Sequence, residues 1–213
     1  MSPSIVHVVD DDQLIQRAMT RLLAAAGFET RTYTSALEFL SAIAPDASGC
    51  IILDVRLPDL NGLELQVVLG SRGVSLPIIF LTGHGEIPDS VRAIQRGAVD
   101  FLIKPVDSNA LLAAVSRAMA QDDAARAARA TRQALRSRYE RLTPRENEVF
   151  LHLIAGRLNK QVAANLDITE RTIKLHRASI FRKLEVGSMA EMARLAADLG
   201  IDPANPATYT KDQ

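Results

Sequence analysis

The sequence predicts an α/β amino-terminal half, a doubly wound five-stranded parallel sheet, joined by a long helical linker to an all-α four-helix carboxy-terminal half. Three observations predict it. Short apolar runs recur through the first ~120 residues, and four of them end on a polar side chain: Ile5–Val9 before Asp10, Cys50–Leu53 before Asp54, Ile78–Leu81 before Thr82, and Val99–Ile103 before Lys104. Amphipathic helical segments separate these runs, as βα repeats require. Beyond residue 140 the strand signal stops and helix-start signals follow one another.

The elements follow in order. Short aliphatic runs read as parallel strands buried on both faces. Asp12 is placed to cap a helix running to about Ala26, with Leu14, Ala18, Leu22 and Leu23 on its inner face and Gly27 stopping it. Glu29–Tyr33 alternates polar and aromatic residues, as an edge strand should. Ser35 starts the next helix with Glu38 at the capping-box position. Further helices are expected near 62–71, 86–96 and 107–120. Ala and Arg fill the stretch after Asp122, so one long helix is expected to leave the first domain. Its Leu111, Val115, Ala118, Ala125, Arg132 and Tyr139 make a poor heptad seam, which favours a mobile helical linker over a coiled coil. Thr143-Pro144-Arg145-Glu146 is a capping box with Pro at the first helical position. Asn159 is placed to cap a short helix, Thr169 a helix from Glu170 to about Leu184, and Ser188 to Glu191 a last capping box. The expected domains are 1–120, a linker at 121–139, a second domain at 140–203, and a flexible tail at 204–213.

Composition narrows the function. Formal net charge is zero over 213 residues, but it is unevenly spread. Met1–Asp122 carries 9 Lys+Arg against 14 Asp+Glu, a net of −5, and Asp123–Gln213 carries 16 against 11, a net of +5. Halves of opposite sign imply different partners, with nucleic acid the candidate for the basic half. No apolar stretch reaches the roughly 20 residues of a membrane span, and no signal peptide is visible, so a cytoplasmic protein is expected. Cys50, the only cysteine, reads as a small buried hydrophobe.

In an open α/β sheet chemistry gathers at the carboxyl ends of the strands. Asp10, Asp11, Asp54, Thr82 and Lys104 should therefore converge on one rim. Three crowded carboxylates need a cation, and hard oxygen ligands suit Mg²⁺. In the second half, Ile173, Ile180 and Leu184, with Phe181 alongside, form an inner stripe on the helix from Glu170. Arg171, Lys174, Leu175, Ala178 and Arg182 face outward. Arg157–Lys183 holds 7 basic residues against 2 acidic ones. A capped helix, a tight Asp167-Ile168 connection and a basic outward helix make a helix-turn-helix, whose second helix suits the major groove.

These motifs resemble a known family. Val8-Val9-Asp10-Asp11-Asp12, Leu53-Asp54-Val55-Arg56-Leu57-Pro58, Leu81-Thr82-Gly83-His84-Gly85 and Lys104-Pro105 are similar to the receiver domain of two-component response regulators, in the FixJ/NarL branch. Residues 140–200, with Asn159-Lys160 and Thr172-Ile173-Lys174-Leu175-His176, resemble the LuxR-type DNA-binding domain. The resemblance implies a CheY-like, flavodoxin-like receiver fold. It implies Asp54 as phosphoacceptor from a sensor histidine kinase, and Mg²⁺ held by Asp11, Asp54 and the Arg56 backbone carbonyl, with Asp10 acting through water. Lys104 and Thr82 would bind the phosphoryl oxygens, with Gly83 leaving room and Lys104-Pro105 a cis peptide. Phe101 would be the aromatic switch, biasing a dimerisation face. Arg56 and His84 would lie beside the phosphate.

The resemblance also places Lys174, Leu175 and Ala178 nearest the bases. Ala178 departs from relatives that carry a basic residue there. Arg171, Arg177, Lys160 and Lys183 are the candidates for DNA phosphates, with Thr172 and the helix N-terminus as further donors. His176 is expected to be packed. The implied protein is no enzyme but a transcriptional regulator, more readily an activator, phosphorylated on Asp54, forming a homodimer and binding promoter DNA, with RNA polymerase a further partner. Two alternatives remain open from the sequence: a phosphorylation-independent DNA binder whose receiver is a dimerisation scaffold, and a small phosphatase of related α/β design.

Overall fold

A computed structural model describes residues 4–83 and 97–202. Its elements are β1 (Ile5–Val9), α1 (Gln13–Ala25), β2 (Glu29–Tyr33), α2 (Ala36–Ala42), β3 (Gly49–Asp54), α3 (Gly62–Ser71), β4 (Ile78–Thr82) and β5 (Asp100–Ile103). The helices α4 (Ser108–Glu140), α5 (Pro144–Ile154), α6 (Asn159–Asn165), α7 (Glu170–Leu184) and α8 (Met189–Asp198) follow. The helix expected near 86–96 and the tail at 204–213 lie outside the described residues. The chain divides into two compact units between Arg126 and Ala127, a point inside α4.

In the first unit all strand pairs are parallel and the order is β2-β1-β3-β4-β5. The order reverses between β1 and β3, so the crevice at their carboxyl ends is the topological switch point. β1, β3 and β4 are buried along their whole lengths, as apolar runs demand, and the one imidazole among them, His7, is bonded to the Tyr33 hydroxyl (3.0 Å). Successive side chains point to opposite faces, which gives two cores. Val9, Phe39, Ile51, Leu53, Leu65 and Phe80 pack under α2 and α3. Val6, Val8, Met19, Cys50, Ile52 and Leu111 pack under α1 and α4. Burial pushes the Cys50 thiol up to about 12, with the Asp122 carboxylate adding to the effect.

The inner face of α1 differs from expectation. Leu14 is 74% exposed and Ala18 is also outside, whereas Gln16, Met19 and Leu23 are buried. Gln16 wins its buried place because its amide bridges two strand ends, donating to the carbonyls of Asp10 (2.6 Å) and Tyr33 (2.8 Å). Buried polar groups survive when bonded in this way.

Two expected capping boxes are also modified. The hydroxyls of Ser35 and Ser188 accept from the third residue on, but Glu38 and Glu191 reach back one residue further, to the N–H groups of Thr34 and Gly187. Asn159 is not a cap: α6 starts after Leu158, whose N–H donates to the Gln161 side chain (2.8 Å).

α4 contributes to both units. Leu111, Val115 and Ala118 are fully buried in the first core, and Asp122, on the same stripe, accepts from the buried N–H of Gly49 (2.9 Å). From Asp123 to Ala134 every side chain is exposed except half-buried Arg126. Tyr139 and Leu142 are then buried in the second core with Val149, Phe150, Val162, Ile173, Ile180, Leu184 and Met192. Gly156 and Gly200 end helices in the left-handed region, and Asp167 makes the sharp turn between α6 and α7 at φ 52°.

Replacing Asp122 with Ala is expected to strip the Gly49 N–H of its acceptor and to lower the stability of the first unit by about 1–3 kcal/mol in urea unfolding; an unchanged midpoint would show that the bond contributes nothing.

Candidate functional site

The acidic site is built by strand register. Val9 of β1 lies beside Leu53 of β3, so the next residues, Asp10 and Asp54, share one rim. Thr82 pairs with Ile103 across β4 and β5, which brings Lys104 to the same rim. Asp10 and Asp54 are buried, Asp11 is exposed, and one carboxylate oxygen from each lies within 4.8 Å of the others. The Lys104 ammonium donates to Asp10 Oδ2 and to Asp54 Oδ2, both at 2.6 Å. Backbone N–H groups fix the remaining geometry: Asp12 donates to Asp10 Oδ1 (2.9 Å) and Arg56 to Asp54 Oδ1 (3.0 Å). Gly62 lies against the end of β3, where any Cβ would collide with the Asp54 carbonyl oxygen. The loop between them is held by Asp59, which accepts from the N–H groups of Ala36 and Leu37 at the start of α2.

The electrostatics of this rim are lopsided. Burial pushes the Asp10 carboxyl above the usual carboxylate range, and the neighbouring Asp54 charge adds to this, even though Lys104 and the Asp12 N–H oppose the shift. Burial alone would lower the Lys104 ammonium, but its bonds to Asp10 and Asp54 hold it above its ordinary value. One ammonium facing three carboxylates leaves a net charge of −2. That donor set, all hard oxygens gathered within a few ångströms, is compatible with Mg²⁺.

The surrounding residues complete the arrangement. Thr82 is buried at the end of β4 and its carbonyl accepts from the Lys104 N–H (2.7 Å). The Lys104-Pro105 bond is cis. Phe101 is half-buried, its ring 6.0 Å from that of Phe80. Arg56 is exposed. His84 falls outside the described residues.

The second site lies on α7. Thr169 caps the helix, its hydroxyl accepting from the Thr172 N–H (3.2 Å) and sharing a bond with the Thr172 hydroxyl (2.9 Å). Ile173, Ile180 and Leu184 are buried. Lys160, Arg171, Lys174, Ala178 and Arg182 are exposed, and Leu175 is 67% exposed. Arg177 is half-buried with its guanidinium 5.4 Å from the centre of the Phe181 ring. His176 is half-buried.

Lys183 departs from expectation. Rather than projecting to solvent, it is half-buried and donates to Glu146 Oε2 at 2.6 Å. Glu146 was legible in the sequence only as the reciprocal member of the Thr143 box, which it is. Its buried carboxylate also accepts from the Ser179 hydroxyl (2.7 Å). Burial alone would raise Glu146, but Lys183, the Thr143 N–H and Ser179 hold it at about 2. Because that lies below the ordinary 4.5, the stabilisation is complete above about pH 4.5 and is lost as the pH falls toward 2. Circular dichroism is therefore expected to show a Glu146→Gln chain that is less stable than wild type at neutral pH, with the gap closing through this window; a gap independent of pH would contradict the assigned contacts.

No helix among the described residues is long and apolar enough to cross a membrane. Residues 6–116 match the family described as response regulator receiver domain, and residues 140–196 match bacterial regulatory proteins of the luxR family. Nodulation protein W of Bradyrhizobium diazoefficiens is 43% identical over 93% of this chain and 87% of its own. The transcriptional regulatory protein FixJ of Azorhizobium caulinodans is 38% identical over 96% of this chain and 97% of its own. The solved structure of the response regulator StyR superposes with a TM-score of 0.85 at 40% identity, covering 92% of this chain and 99% of that one. The family is one of regulators rather than enzymes, and its two domains imply a sensor kinase and DNA as partners. The chain belongs to the two-component response regulators that join a receiver domain to a LuxR-type DNA-binding domain.

Proposed function

We propose that Asp54 is the phosphoacceptor of this regulator. The observation that carries the reading is the Lys104 ammonium seated between Asp10 and Asp54 on an otherwise over-acidic rim. An Asp54 carboxylate oxygen attacks the phosphorus of a kinase phosphohistidine. The new O–P bond gives an acyl phosphate, the P–N bond breaks, and its electron pair returns to the imidazole. Asp11, Asp54 and the Arg56 carbonyl would hold Mg²⁺, with Asp10 acting through water. When bound, the ion supplies positive charge that offsets the repulsion between carboxylate and phosphoryl oxygens.

The chain's own residues do the rest. Lys104 transfers its hydrogen bonds from the two carboxylates to the arriving phosphoryl oxygens. The Thr82 hydroxyl turns toward the same group, and Phe101 fills the space it leaves. That repacking biases the face around β5 toward a homodimer. A phosphoryl group that favours the paired state by about 5.5 kcal/mol inverts a 1:99 population. Paired LuxR-type domains then bind two promoter half-sites, in the cytoplasm, with RNA polymerase as the downstream partner.

On α7, Lys174 donates to a guanine edge, and Leu175 and Ala178 make apolar contact with bases. Arg171, Arg177 and Lys160 meet phosphates, and Thr172 at the capped helix start donates to another. Lys183 leaves this set because Glu146 engages its ammonium.

Two measurements test these assignments. Incubated with Mg²⁺ and acetyl phosphate, the intact wild-type chain should gain the mass of one phosphoryl group and the Asp54→Asn chain should gain none; uptake by the variant would place the acceptor elsewhere. Changing Lys174 to Ala should weaken operator binding by about 1–3 kcal/mol and relax base preference at one position. A gel shift with unaltered affinity and preference would remove Lys174 from the reading surface.

A further inference from the structure

Four carboxylate residues are buried among the described residues: Asp10, Asp54, Asp122 and Glu146. The first two form the acidic rim and the third holds Gly49. Glu146 stands apart, in the first turn of α5, with more partners than a helix cap needs. The Thr143 N–H (2.8 Å) satisfies the cap. The Ser179 hydroxyl on Oε1 and the Lys183 ammonium on Oε2 are additional, and both come from α7. They lie four residues apart, one turn of the same helix, so a single carboxylate grips one side of α7 at two points.

Where that side lies decides what the grip does. Side chains advance by about 100° per residue around a helix. The core stripe of Ile173, Ile180 and Leu184 faces the second core. Leu175 and Ala178 are exposed on the opposite side, and Lys174 is exposed on one flank. Ser179 and Lys183 fall on the other flank. The apolar driving force is itself non-directional, whereas hydrogen bonds weaken steeply when misaligned. The flank contact is thus a directional constraint on the middle of the helix.

We propose that Glu146 is a positioning residue for DNA recognition: through Ser179 and Lys183 it fixes the rotation of α7 and so determines which side chains face the bases. The inference rests on the DNA-binding role of α7 but gives Lys183 an internal job in place of a phosphate contact.

The test uses the full chain and a labelled duplex selected by the wild-type protein from a random pool, with a scrambled duplex as control, measured by anisotropy over a salt series. Lys183→Met should lower affinity for the selected duplex about tenfold, leave the scrambled duplex unaffected and keep the wild-type salt slope. A phosphate-contacting lysine would instead weaken both duplexes and reduce the slope by about 0.9, which would overturn the proposal. Glu146→Gln should produce the same loss of selectivity, and the double variant should lose no more than the worse single one; additive losses would overturn it. Should the Glu146 variant fold poorly, Ser179→Ala, which removes one of the two points of grip, should give a smaller loss with the same unchanged slope, and no loss would count against the idea. Carbon-13 titration of the Glu146 carboxyl reads the contact without DNA: its midpoint should rise in Lys183→Met, and an unmoved midpoint overturns the proposal alone. A chain that selects no duplex would overturn it together with the DNA-binding reading.

Discussion

The Lys104 ammonium between Asp10 and Asp54 is the interaction on which the receiver half depends. It joins the ends of β1 and β3 to the residue that follows β5, at 2.6 Å on each side. Without a cation two buried carboxylates on one rim would repel each other in a poorly solvated place. With only one ammonium the rim still carries excess negative charge, and burial first, with the Asp54 charge a lesser contributor, holds the Asp10 carboxyl above its usual range. The resting site is therefore held together by a charge that is insufficient to saturate it. That shortfall leaves the same few oxygens compatible with a divalent cation.

The second unit applies a related device to a different end. Its core is a helical cluster in which α7 buries Ile173, Ile180 and Leu184. Directional polar contacts add to it: half-buried ones from Glu146 to Ser179 and Lys183, and exposed ion pairs from Arg138 and Arg141 to Glu185, the left-handed residue that ends α7. In both units, charged groups far apart in sequence meet beside the candidate site. α4 takes part in each, through Asp122 in one and Tyr139 in the other.

Much of this was legible in the amino-acid sequence because the sheet obeys simple rules. β1, β3 and β4 are buried on both faces, so their runs are apolar apart from His7 of β1, and the polar residues that end them fall on the acidic rim. β5 was harder to bound, since its residues are half-buried or exposed and Asp100 interrupts the run. The inward face of α1 was misread for a definite reason: apolar periodicity favours Leu14, while the position is decided by Gln16, whose amide serves two backbone carbonyls. Glu146, Asp122 and Lys183 share that difficulty. Their types and local spacing suit a cap, a solvated helix residue and a phosphate contact. Their partners lie 37, 73 and 37 residues away, and no local pattern encodes such a separation.

In the proposed reading the acidic rim is one centre that takes a divalent cation and carries a phosphoryl group on Asp54. A crystal structure of the full chain grown with Mg²⁺ and beryllofluoride, a mimic of the aspartyl phosphate, tests it most directly. The expected result is a single fluoride adduct on Asp54, one cation beside Asp11 and Asp54, and the Lys104 ammonium turned from the carboxylates to the adduct. An adduct on another residue, or an occupied Asp54 with Lys104 still bound to Asp10 and no cation on the rim, would contradict it.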